Sequence, residues 1–139
     1  MPHRPFIASI VLMNLLMPQP GSAAEHTQDS LVQVEKNIRE GKAVLVDVRE
    51  RDETDDGYVA GAILWSLSML SEQGSQPDFG DKLAAQVPKK KILYTYCKMG
   101  GRALMAVEML EKFGYDVRAL RHGFDDLARE GFKTARPKK

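Results

Sequence analysis

The sequence predicts an α/β domain: a mostly parallel central sheet flanked by helices on both faces. Two short runs, Ala43–Asp47 and residues 91–96, are continuously apolar rather than alternating, as strands covered on both sides must be. Helical patterns separate and follow them, so strands and helices alternate along the chain, which implies parallel pairing through right-handed crossovers. The chain has 139 residues, room for one domain and not two.

The elements follow in order. Residues 1–24 read as an export signal: His3 and Arg4, a twelve-residue apolar run over 6–17, then small residues that end in a cleavage site after Ala23 or Ala24. Twelve residues fall short of the roughly 20 a helix needs to cross a bilayer core, so no stable membrane span is expected after processing. The mature domain is then 25–139, in an exported setting with the periplasm as the expected compartment. Ser30 caps a helix whose Leu31, Val34 and Ile38 share a face, and Gly41 closes it. After the first strand, residues 52–57 read as a charged loop, 62–64 as a short strand, and 71–81 as loop rich in Gly and Pro, with a short helix over 81–86. Residues 102–113 carry an apolar stripe of Ala106, Leu110 and Phe113 and stop at Gly114. A strand over 116–120 and a short helix over 124–130 complete the domain, and the basic tail 133–139 reads as a solvated end.

Charge and cysteine count exclude several functions. Lys and Arg number 20 against 19 acids, and loss of Arg4 with the leader brings the balance to zero. No basic excess exists to hold nucleic acid. A single cysteine, Cys97, excludes an intrachain disulfide framework and a zinc site of paired thiolates, so no metal is expected.

Cys97 is the residue that points to chemistry. It ends an apolar strand and opens the loop Lys98-Met99-Gly100-Gly101-Arg102, after which a helix begins. In open α/β sheets functional groups gather at the carboxyl ends of strands. Backbone N–H groups of such a loop can converge on the sulfur, and the helix dipole adds to them, which favours thiolate over thiol. Gly100 and Gly101 permit the positive φ that a loop curled around one atom needs, while Lys98 and Arg102 bring positive charge for an anionic substrate. His26 and His122 suggest a Cys–His hydrolase only if the thiolate needs a base, and a stabilised thiolate does not. Asp47 and Arg49, near the end of the first strand, read as a supporting carboxylate and its brace rather than a catalytic pair. Trp65 reads as a core aromatic before it reads as a wall of the site.

These motifs resemble one family. Cys97-Lys-Met-Gly-Gly-Arg102 is similar to the C-x-x-G-x-R loop of the rhodanese sulfurtransferases, residues 44–50 resemble the family's L-x-D-V-R-x strand, and residues 57–62 resemble its G-H-I-x-G-A segment. His122-Gly123-Phe124 stands where the family carries G-G-x-x-x-W. Departures are Tyr58 for a His, His122 for a Gly and Leu127 for a Trp, all at positions that read as structural. The resemblance implies a rhodanese-like fold and sulfur transfer through a persulfide on Cys97, without a cofactor. It implies a small anionic donor such as thiosulfate, a thiol or cyanide as acceptor, and a monomer or weak dimer. Other readings remain: a non-catalytic sulfur carrier or sensor, and a cysteine phosphatase. The phosphatase loop is C-x5-R, one residue longer than the C-x4-R here. A thiol-disulfide oxidoreductase would lack a resolving cysteine.

Overall fold

The computed structural model describes residues 24–139, and the leader expected before them lies outside the described residues. The order is α1 (Leu31–Arg39), β1 (Ala43–Asp47), α2 (Arg51–Thr54), β2 (Tyr58–Val59), β3 (Ile63–Leu64), α3 (Leu67–Gln73), α4 (Phe79–Gln86), β4 (Ile92–Tyr96), α5 (Gly101–Glu111), β5 (Asp116–Ala119), α6 (Phe124–Arg129) and β6 (Thr134–Ala135). Four strands pair in parallel in the order β3-β1-β4-β5. No helix among the described residues is long and apolar enough to cross a membrane.

Alternation along each strand feeds two cores. From β1, Ala43 and Leu45 face one side, where Val34, Tyr94, Tyr96, Leu120 and Leu127 pack. Val46, with Leu93, Ala106, Val107 and Leu110, fills the other. Helices α1 and α6 cover the first face; α3, α4 and α5 cover the second. Both faces of every central strand are therefore dry, which is why the strands read as unbroken apolar runs. Trp65 is 2% exposed, donates its indole N–H to Gln86 Oε1 and meets Tyr115 edge-on, so it is a core residue as the sequence suggests.

Three expectations need correction. Residues 52–57 are not simply loop: α2 occupies Arg51–Thr54, begun by reciprocal bonding in which the Glu50 N–H donates to Glu53 Oε2 at 3.0 Å. The loop expected over 71–81 is helical at both ends. Ser66 Oγ accepts the Met69 N–H to start α3, while Phe79, 2% exposed, seats α4 two residues earlier than its charged stretch suggests. The tail is not wholly solvated, because Thr134 and Ala135 pair antiparallel with Val59 and Tyr58.

Register sets the functional end of the sheet. Asp47 lies opposite Tyr96, and the Val48 N–H donates to the Tyr96 carbonyl at 3.1 Å, so Asp47–Arg49 run beside the strand end that carries Cys97.

Candidate active site

Cys97 follows β4 directly and is 1% exposed. The chain then turns through Lys98 and Met99, both exposed, to Gly100, which adopts φ +94° as the cap of α5. Only this left-handed residue lets the loop curl back, and its N–H donates to Cys97 Sγ at 3.0 Å. That bond sets a backbone donor against the sulfur at the N-terminal end of an 11-residue helix. Thr95 Oγ1 donates to the Ala103 carbonyl at 3.0 Å and locks the start of α5 against β4.

A second loop backs the first. The Phe124 N–H donates to the Cys97 carbonyl at 2.9 Å, and Gly123 lies so close that a Cβ there would sit 1.8 Å from the Lys98 carbonyl oxygen. Gly123 has an ordinary φ of −88°, so space and not conformation demands the glycine.

Asp47 and Arg49 form a buried ion pair. The Arg49 side chain donates to both Asp47 oxygens, at 2.8 Å for its shortest bond, and its backbone N–H adds a bond at 3.0 Å. It also donates to the Gly57 carbonyl at 2.7 Å and stacks over Phe124, 4.4 Å from the ring centre. Burial opposes the Arg49 charge, but the hydrogen bonds and field of Asp47 outweigh it and hold the guanidinium above its ordinary range. Tyr96, which receives the Val59 N–H on its hydroxyl, is pushed well above the usual tyrosine range by burial and by Asp47.

Arg102 does not stand free beside the sulfur. Its guanidinium grips Glu53 at 2.6 and 2.8 Å, and the pair ties the start of α2 to the start of α5. The bonds from Arg102 pull the Glu53 carboxyl down to about 2, while Arg102 itself is raised. Glu53 escaped the sequence reading because it sits in a charged run and finds its partner 49 positions away. A cavity of about 340 Å³ is bounded by Arg49, Glu53, Asp56, Lys98, Phe124 and Asp125. Of the loop residues proposed from sequence, Lys98 lines this cavity and Gly100 contacts the sulfur, whereas Met99 is 86% exposed. His122 is half-buried, and His26 reaches not the sulfur but the Gly100 carbonyl.

A parallel sheet with a cysteine held in a glycine-turned loop at its carboxyl edge fits the rhodanese-like domain family, and the chain belongs to that family, whose model matches residues 30–130. The human thiosulfate:glutathione sulfurtransferase is 32% identical over 90 residues, covering 62% of this chain and 78% of that protein. Two solved structures share the fold. A rhodanese-like domain from Anabaena aligns with a TM-score of 0.61 at 22% identity, over 81% of this chain and 80% of that one. A human single-domain sulfurtransferase also reaches 0.61, at 23% identity, over 79% and 98%.

Proposed function

We propose that the protein is a sulfurtransferase that moves sulfane sulfur from thiosulfate or a similar small anion to a thiophilic acceptor. The observation that carries this reading is the Gly100 N–H aimed at Cys97 Sγ within a rhodanese-like domain. Cys97 thiolate attacks the outer sulfur of thiosulfate; the sulfur–sulfur bond breaks and sulfite leaves with its electron pair. The resulting Cys97 persulfide is attacked at its outer sulfur by an acceptor thiolate, which departs as a persulfide and returns Cys97 to thiolate. The enzyme carries the sulfur covalently, so no cofactor enters.

Lys98 is the cation we assign to the donor, since Arg102 is committed to Glu53. Arg102 then acts by holding the loop. Asp56 and Asp125 share the cavity with Lys98, and a mouth with both signs suits a small zwitterionic thiol, in line with the glutathione named for the human relative. We further propose export to the periplasm with cleavage after Ala23 or Ala24, and a monomer or weak dimer in solution; the N-terminal sequence of the protein recovered from that compartment tests the first. The central test is thiosulfate:cyanide sulfur transfer by the full chain beside Cys97→Ser, with intact mass after thiosulfate alone. One added sulfur on the wild type, and none with the variant, is the expected result. No adduct and no turnover would move the function to a binding or sensing module.

A further inference from the structure

Residues 25–29, just before α1, form a strap across the open edge of the sheet. Strand β5 is an edge strand, and the strap uses its exposed groups: the Thr27 N–H donates to the Ala119 carbonyl at 2.8 Å, and His26 pairs with Ala119 in a single parallel bridge. Asp29 fastens the far side. Its carboxylate accepts from the Tyr94 hydroxyl at 2.6 Å and from Arg118 at 2.8 Å, and these bonds hold its carboxyl below the usual range. His26 is thus presented by a backbone anchored through Thr27 and Asp29, just after it.

Its imidazole reaches the cysteine loop. His26 Nε2 lies 3.0 Å from the Gly100 carbonyl oxygen, and a carbonyl only accepts, so Nε2 carries the proton and donates. The other claimant on that oxygen, the Leu104 N–H that opens α5, is farther at 3.3 Å. Gly100 is the same residue whose N–H points at Cys97 Sγ. A glycine visits positive and negative φ with nearly equal ease, so no side chain of its own holds Gly100 at +94°. Contacts from outside the loop add to its bonds with Leu104 and Cys97. They are close: a Cβ at this position would lie 2.8 Å from His26 Nε2 and 3.2 Å from the Arg121 carbonyl.

We propose that His26 is a positioning residue for the reaction, pinning Gly100 by its carbonyl so that the N–H of the same residue stays aimed at the sulfur. Its catalytic meaning rests on the sulfurtransferase reading, but the pin is testable without it. In the full chain, His26→Ala is compared with His26→Gln, whose amide can donate from a similar reach. Loss of one such bond is expected to speed hydrogen exchange at the Gly100 amide about fivefold while the Leu93 amide in β4 is unchanged. In sulfur transfer, kcat falls by about the same factor with the thiosulfate KM held, because the interaction acts on the nucleophile and not on donor binding. The glutamine variant restores both. Gly100 exchange within about twofold of wild type in His26→Ala, or acceleration shared equally by Leu93, would overturn the pin. A chain with no sulfur transfer at all, yet with the expected exchange pattern, keeps the pin and removes only the proposed function.

Discussion

Asp47→Ala should cost the domain more than any exposed substitution, and the amount follows from what it strands. The carboxylate is fully buried and accepts the backbone N–H and the guanidinium of Arg49, which is 6% exposed. Breaking a buried pair from one side costs about 3–5 kcal/mol, because a charge is left without its counterion. Here the Gly57 carbonyl at 2.7 Å and the Phe124 face remain to the guanidinium, so the lower end, about 3 kcal/mol, is expected. With a urea slope of about 1.5–2 kcal/mol/M for a domain of this size, the midpoint falls by about 1.5–2 M. Trp65, the single tryptophan and 2% exposed, reports the transition by fluorescence. The double variant Asp47→Leu with Arg49→Met removes both charges and should recover most of the loss. A midpoint shift under about 0.3 M for Asp47→Ala, or a double variant no more stable than the single, would refute the stranded-charge account.

Two further outcomes follow from the ion pairs and the mouth. Glu53 titrates at about 2 in the fold against 4.5 unperturbed, so its contribution is complete above 4.5 and is lost as pH falls through about 2; Glu53→Gln should be less stable at neutral pH and show a flatter loss of stability over that acid range in pH-dependent urea melts. Lys98→Ala should raise the KM for thiosulfate about tenfold with kcat nearly kept, the effect of losing one charge-assisted contact to a bound anion, and an unchanged KM would remove Lys98 from donor binding.

The architecture was legible because its strands are buried on both faces. Leu45 and Val46 are buried on opposite faces and Val44 packs against the core, and that unbroken run announces a parallel strand as plainly as alternation announces an exposed one. The placement of Cys97 at a strand end was legible for the same reason. What escaped was short or distant. Helix α2 spans one turn inside an acidic run and is fixed by the Glu50 and Glu53 reciprocal bonds, which leave no apolar period to read. Strands β2 and β6 contribute two residues each and meet across 77 positions, from Tyr58 to its paired Ala135. Arg102 was read as a free cation because the sequence shows its charge but not Glu53 opposite it. A histidine in the sequence suggests a base for Cys97, whereas the partner of His26 is a backbone carbonyl 74 residues on.

The close seating of Gly123 against the Lys98 carbonyl also bears on how such a chain can drift over generations. Position 123 has no room for any side chain, so every lineage that keeps the two loops back to back must keep glycine there. Its neighbour is under no such ban: His122 is only half-buried. One member of the pair is frozen by volume and the other is free to vary, which makes residue 122 the place to look for differences between lineages and residue 123 the place to find none.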